Sequence, residues 1–197
     1  MSGEFWTILA AVLTATSCAL LGTFLVLRKM SLLGDALSHA VLPGIVIAFL
    51  FTESRAILPM FIGAAGFGFL TTLLAEAFHR RWSVPEDASI GIVFTSLFAL
   101  GVVLISAYAG QVDLDMECVL YGEIVTTPLD TLWWNGQDIG PRAVWILSGV
   151  LILNLLFVGL LYKELTLASF DPGLALSVGV NASLIHYLLM GAVSVTT

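Results

Sequence analysis

Long stretches without a charged residue constrain the fold of this chain more than any other feature. A bilayer-spanning helix needs about 20 mostly apolar residues. Five stretches meet this requirement, and a sixth is cut short where the sequence stops. The stretches are 5–27, 36–52, 56–75, 88–112, 143–162 and 182–197. The sequence therefore predicts an all-α polytopic membrane protein with five complete transmembrane helices and the start of a sixth, forming a single domain over 1–197.

The composition supports this prediction and excludes other classes of protein. Hydrophobic residues make up 59% of the 197 residues, charged residues make up 11%, and the mean hydropathy is +1.03. Soluble domains are about 25% charged. A net charge of −7 with seven basic residues leaves no basic surface for nucleic acid. Cys18 and Cys118 match neither a disulfide nor a zinc pattern, so we interpret both as ordinary small residues.

The basic residues predict the orientation in the membrane, because cytoplasmic loops carry an excess of Lys and Arg. Five of the seven follow the first, third and fifth stretches, and two follow the second and fourth. The five are Arg28, Lys29, Arg80, Arg81 and Lys163, and the two are Arg55 and Arg142. This bias predicts cytoplasmic odd-numbered loops and an external N-terminus. Glu76 and the basic residues after it then mark the inner end of the third span, and we expect Glu76 to snorkel to water.

The external loop at 111–141 is acidic and is open to two interpretations. It carries Asp113, Asp115, Glu117, Glu123, Asp130 and Asp138. Such a surface concentrates cations and can dock a partner, or it is a solvated loop that needs only to be soluble. Within it, the apolar stretches 119–120 and 132–134 suggest short interfacial helices.

The loop at 170–181 carries the signals of a short helix on the cytoplasmic side. Asp171 suits the N-cap, Pro172 suits the first helical position, and Gly179 can end the helix in the left-handed region. This helix of about two turns either packs on its own bundle or contacts a cytosolic motor. The chain has no GxxxxGK[ST] motif, so any nucleotide hydrolysis must come from another polypeptide.

Asp35 and His39 form the clearest candidate site, because ionisable residues inside spans are rare and usually functional. Positions i and i+4 share one helix face, so a carboxylate oxygen and an imidazole nitrogen can converge on one ion. This ligand pair suits Mn²⁺, Zn²⁺ or Fe²⁺ rather than Cu⁺. Two alternatives remain open: Asp35 could cap the second span, and His39 could form a hydrogen bond between helices. His186, early in the sixth span, is interpreted as a structural or interfacial histidine, with the alternative that it faces the same interior as the pair.

Two features of the neighbouring spans concern helix packing. Pro43 and Gly44 can loosen the second span shortly after His39. Gly63, Gly66 and Gly68 give the third span a face of small residues, which predicts a close helix contact.

The stretch at 21–44 reads LGTFLVLRKMSLLGDALSHAVLPG, and it closely resembles the permease family of bacterial zinc/manganese/iron ABC importers. Later stretches resemble other landmarks of this family. They are Glu86–Gly91, Asp113–Leu114, Leu120–Gly122, Phe170–Pro172 with Ala175, and Gly179–Asn181. The resemblance extends over essentially the whole chain and favours the metal interpretation of Asp35 and His39.

The resemblance implies the other components of a transporter in the bacterial cytoplasmic membrane. Two permease subunits pair within the lipid, an extracytoplasmic solute-binding protein delivers the ion, and two cytosolic ATPase subunits drive transport. The segment 170–181 would couple to the ATPase through Asp171, Pro172, Ala175 and Gly179. The external loop would lie near the dock for the binding protein, with Asp113, Asp115, Glu117 and Glu123 as candidate contacts.

We therefore expect a transport subunit that is not itself an enzyme and has no resident cofactor, with the metal ion as substrate. The alternatives are a stand-alone ion carrier or channel and a membrane scaffold without transport. Family members continue for several further spans, so the sequence is expected to be truncated at its C-terminal end.

Overall fold

Five helical segments in the described part of the chain are long and apolar enough to cross a membrane, as the uncharged stretches predict. They are Gly3–Leu27, Leu32–Thr52, Leu58–Trp82, Glu86–Tyr108 and Arg142–Leu160. A shorter apolar helix follows at Ala182–Thr196. The structure is a computed structural model that describes residues 3–52, 57–109, 127, 130–134 and 137–197. The prediction of an all-α polytopic fold is confirmed.

The helices are numbered here in chain order. They are α1 (Gly3–Leu27), α2 (Leu32–Ala40), α3 (Leu42–Thr52), α4 (Ile57–Trp82), α5 (Glu86–Leu104), α6 (Arg142–Leu160), α7 (Tyr162–Phe170), α8 (Pro172–Ser177) and α9 (Ala182–Thr196). One π-helical turn, Ile105–Ala109, extends α5. Helix α3 packs against α4 and α5, α2 packs against α5, and α1 packs against α6.

The second span is built from two helices, α2 and α3, that meet at Val41. Pro43 explains the break. A proline has no backbone N–H, so Pro43 gives the His39 carbonyl no helical hydrogen bond, and its ring crowds the preceding turn. The prediction that Pro43 loosens this span is confirmed, and the break falls directly after the helix that carries Asp35 and His39.

The main apolar core lies where α2 is wrapped by its neighbours. Leu33 and Leu37 of α2 are fully buried, and they pack in one cluster with residues from six other helices. These other members include Leu21, Ala75, Ile90, Leu165, Ala175 and Leu189. Helix α2 is therefore held in the core by Leu33, Ala36 and Leu37.

Small residues allow the close helix contacts that the third span was predicted to make. A Cβ added at Gly44 would overlap with the backbone of Gly63, and a Cβ added at Gly63 would overlap with Gly44 in return. Further along α4, the Ser194 hydroxyl donates to the Ala65 carbonyl oxygen at 2.9 Å. Helices α3 and α4 are therefore in backbone contact one turn beyond the break at Val41.

The prediction of a helix at 132–134 is wrong, because this segment forms a strand. Strand β1 (Thr131–Trp134) pairs antiparallel with β2 (Gln137–Pro141). The residues between the strands are Asn135 and Gly136, a dipeptide that favours two-residue hairpin turns. That signal was available in the sequence and outweighs the short apolar run. The companion prediction at 119–120 lies outside the described residues.

Candidate functional site

The Asp35 and His39 side chains meet on one face of α2, as their spacing predicts. His39 Nε2 lies 3.8 Å from Asp35 Oδ1, and the two side chains are 34% and 77% exposed. The helix begins at Leu32 with Ser31 as its N-cap, so Asp35 lies inside the helix. The capping interpretation of Asp35 is therefore wrong. The carboxylate instead stands on an open face of the bundle.

The surroundings of His39 leave its imidazole free of structural hydrogen bonds within the described residues. Its Nδ1 atom is buried there without a hydrogen-bond partner. The ring meets Phe98 of α5 edge to face, with centroids 5.7 Å apart. This aromatic contact fixes the ring while Nε2 faces Asp35. No third His, Cys, Asp or Glu joins the pair among the described residues, so this part of the chain offers an ion one carboxylate group and one imidazole nitrogen.

A second polar region lies at the end of the bundle where α1, α4 and α7 finish and α9 begins, here called the basic end. A cavity of about 530 Å³ opens there, here called the inner cavity. Its polar lining includes Arg28, Glu76, Arg80, Ser169 and His186. The Asp35–His39 pair does not line it. The prediction that Glu76 snorkels to water is wrong, since its side chain is only 13% exposed and its Oε2 is buried.

A chain of polar contacts crosses the inner cavity between four segments. Arg28 Nε donates to Ser169 Oγ at 3.0 Å, and Arg28 Nη1 lies 3.5 Å from His186 Nδ1. His186 Nε2 lies 3.8 Å from Glu76 Oε2, and Glu76 Oε1 forms an ion pair with Arg80. Burial lowers the pKa of the Arg28 guanidinium from its ordinary value. The group nevertheless stays charged, because arginine is not deprotonated in proteins.

Helix α8 is built as its sequence signals predict. The Asp171 Oδ1 atom accepts a hydrogen bond from the Leu174 N–H at 2.9 Å, and Pro172 takes the first helical position. The helix ends where Gly179 adopts a φ of +89°. There the Val180 N–H donates to the Ala175 carbonyl oxygen at 2.8 Å. The observed helix of six residues agrees with the predicted length of about two turns.

The orientation of α8 could not be read from the sequence. Ala175 is fully buried in the main core. The other apolar residues around it are open: Leu174, Leu176 and Val178 are 49%, 64% and 67% exposed. We call these three residues the α8 outer face. Sequence reasoning missed this face because nearly every residue of the segment is apolar, which hides the division between core and surface.

The candidate docking residues of the external loop, Asp113, Asp115, Glu117 and Glu123, lie outside the described residues. Asp130 is described, and it is exposed beside β1.

Comparison with known proteins decides the family. The model of the family described as "ABC 3 transport family" matches residues 4–197. The chain belongs to this family. This confirms, at the level of the family, the resemblance drawn from the stretch at 21–44. It also confirms the prediction of a multi-pass membrane protein.

Relatives of this chain are named for metal transport. The chain is 52% identical over 197 residues to the manganese transport system membrane protein MntD of Bacillus subtilis (strain 168). This match covers all of this chain and 66% of that protein. It is 42% identical over 189 residues to the zinc transport system membrane protein TroD of Treponema pallidum, covering 96% of this chain and 51% of that protein.

A solved structure shares the fold. The chain matches PsaBC from Streptococcus pneumoniae in complex with Fab, with a TM-score of 0.75 and 30% identity, over all of this chain and 64% of that one. The chain thus spans between half and two thirds of the length of these relatives.

Proposed function

We propose that the chain is a membrane-spanning permease subunit of an ATP-driven importer that moves a divalent transition-metal ion, manganese, zinc or iron, across the bacterial cytoplasmic membrane. The observation that carries this proposal is the Asp35–His39 pair, which presents a carboxylate oxygen and an imidazole nitrogen 3.8 Å apart inside a span. A charge inside a span is energetically costly, so ionisable residues there usually serve a function. The named roles of MntD and TroD in manganese and zinc transport support the choice of ion.

The pair supplies part of a coordination shell and one negative charge. An ion held by it keeps water molecules or gains ligands from elsewhere. The Asp35 side chain stands 77% exposed on the bundle surface, although a lipid-facing carboxylate is unfavourable. A second permease subunit, identical or related, that faces α2 across the translocation path would cover this surface and complete the shell.

The motor is a separate cytosolic ATPase, because the chain has no P-loop motif. The subunit is therefore a transport component rather than an enzyme, and the ion is its substrate, without a resident cofactor. The α8 outer face offers this motor an exposed apolar contact at the basic end. Asp171, Pro172 and Gly179 shape the helix, and Ala175 anchors it to the core.

An extracytoplasmic metal-binding protein is the proposed donor of the ion. The acidic residues Asp113, Asp115, Glu117 and Glu123 would attract the cation and dock this partner on the external side. This assignment rests on the charge of the loop.

The proposal is tested by asking whether transport needs ATP. The transporter purified through a tag on this chain should carry a P-loop ATPase. Vesicles containing it should accumulate radiolabelled Mn²⁺ or Zn²⁺ when loaded with ATP, and should show only background uptake with a non-hydrolysable analogue. Equal uptake without hydrolysis would favour the alternative of a stand-alone carrier. A scaffold would show no uptake under either condition.

The basic end is expected to face the cytoplasm, because it holds most of the Lys and Arg residues. A phosphatase reporter, active only outside the cytoplasm, should be inactive when fused after Arg81 or Lys163 and active when fused near Asp130. A cytoplasmic reporter should give the reverse pattern. An inactive phosphatase at Asp130 together with an active one at Arg81 would invert the topology and remove the ATPase from α8.

A further inference from the structure

Arg28 occupies the short connection between α1 and α2, and it contacts the segment that leads into α8. Its Nε donates to Ser169 Oγ at 3.0 Å, across a sequence separation of 141 residues. Ser169 is held in turn, because its hydroxyl donates to the Leu165 carbonyl oxygen at 2.6 Å. Only Phe170 separates Ser169 from the N-cap of α8.

We propose that Arg28 is a positioning residue that transmits movement of α8 to α2, and so couples the motor contact to the Asp35–His39 pair. This inference rests on the proposed function, since it needs an ATPase at α8 and an ion at the pair. It assigns Arg28 no contact with the ion.

Both ends of this connection are stiff enough to transmit a displacement. On one side, Lys29 adopts a left-handed φ of +60°, and the Met30 N–H donates to the Leu25 carbonyl oxygen at 2.9 Å. Left-handed backbone is unfavourable for a residue with a side chain and persists where the surroundings fix it. The Leu33 N–H then donates to the Met30 carbonyl oxygen at 3.1 Å, which joins this turn to α2.

On the other side, only Asp171 separates α7 from α8. The Asp171 N–H donates to the Leu167 carbonyl oxygen at 2.9 Å, and the Ala175 N–H donates to the Asp171 carbonyl oxygen at 3.0 Å. These two bonds tie Asp171 to both helices, and the Asp171 side chain, rather than a backbone carbonyl, accepts the Leu174 N–H at the join. A push on the α8 outer face therefore reaches Ser169 without an intervening flexible loop.

The second contact of Arg28 extends the connection to α9 and α4. Arginine has only donors, so Nη1 faces a lone pair on His186 Nδ1 and favours the proton on Nε2. His186 Nε2 lies 3.8 Å from Glu76 Oε2, which is too far for a hydrogen bond in this arrangement. A metal ion would need the Nε2 lone pair, so this tautomer opposes a second ion site.

Two polar atoms of this network have unused capacity. Arg28 Nη2 and Glu76 Oε2 are buried with no hydrogen-bond partner among the described residues. Both belong to side chains that line the inner cavity. Buried polar groups without partners are unfavourable. These two atoms can therefore gain new partners when the helix ends shift, so the network is suited to alternate between two arrangements of the bundle.

The test compares Arg28→Gln and Arg28→Lys in the assembled transporter reconstituted with ATP. We expect the ions imported per ATP hydrolysed to fall about tenfold in both variants, within the range usual for coupling between sites. Lysine keeps the charge but lacks the planar fork that reaches two partners, so it should not rescue. Binding of radiolabelled Mn²⁺ without ATP should match wild type. An unchanged transport ratio in Arg28→Gln overturns the inference, and so does a loss of ion binding.

Arg81→Gln is the matched control, because Arg81 is an exposed basic residue at the basic end of the bundle, where α4 finishes. It should keep the wild-type ratio, and an equal loss there would assign the effect to net charge and overturn the inference. Ser169→Ala should mimic Arg28→Gln, and the double variant should be no worse than either single variant; additive losses would contradict a shared role. Uptake by the wild-type transporter is measured before any variant is compared. If it shows no ATP-driven uptake, the proposed function itself fails.

Discussion

Asp35→Asn is expected to reduce metal uptake by more than about 100-fold in a correctly assembled transporter, since the loss of even an outer-shell partner of a metal ligand costs about 10–100-fold. The substitution preserves size and polarity but removes the negative charge that offsets dehydration of a divalent cation. Asp35 lies inside α2, one turn from its start, so the substitution does not remove a helix cap. The measurement is ATP-dependent uptake of radiolabelled Mn²⁺ or Zn²⁺ in vesicles with matched amounts of each complex.

His39→Ala should be nearly as damaging, and the double variant should be little worse than either single variant, because one ligand alone holds the ion weakly. Asp87→Asn serves as the control, since Asp87 is another exposed aspartate in the first turn of a helix. It should transport normally. Wild-type uptake by Asp35→Asn would remove Asp35 from the site while leaving the fold unaffected.

Leu176→Asp is expected to separate ATP hydrolysis from uptake without preventing insertion, reducing the ions imported per ATP about tenfold, a typical strength of coupling between sites. Leu176 is 64% exposed on the α8 outer face, and exposed positions tolerate substitution with changes of about 0.5 kcal/mol or less in stability. The charge would instead disrupt an apolar contact with the motor. The measurement is the ratio of uptake to ATP hydrolysis in the reconstituted transporter.

Ala175→Asp should behave differently, because Ala175 is fully buried and an unpaired charge there is unfavourable by several kcal/mol. We expect poor assembly rather than uncoupling, seen as a reduced yield of complex in detergent. Leu176→Met, which keeps an apolar side chain of similar volume, is the control for normal coupling. A Leu176→Asp transporter with the wild-type ratio would show that the motor contacts another surface.

Local signals made much of this structure predictable. The cap at Asp171 and the left-handed Gly179 depend on residues within one helical turn, and both were found where expected. The approach of Asp35 and His39 follows from i,i+4 spacing alone. The break at Val41 follows from the missing N–H of Pro43.

Features that depend on distant residues could not be predicted in this way. The Arg28 contact joins positions 141 residues apart, and the approach of His186 to Glu76 requires α9 to pack beside α4. Burial of Glu76 overturns its predicted exposure because that packing closes over the end of α4. The inward orientation of Ala175 is likewise set by the core rather than by the sequence of α8.

The most direct test of the central claim is pulsed electron paramagnetic resonance of Mn²⁺ bound to the assembled transporter in the absence of ATP. If Asp35 and His39 hold the ion, the spectrum of the wild-type protein should show hyperfine coupling to an imidazole nitrogen, and this coupling should disappear in His39→Ala. His79→Ala, which removes an exposed histidine at the basic end, should leave the coupling intact. A nitrogen coupling of wild-type strength in His39→Ala would contradict the account, because the ion would then be bound elsewhere.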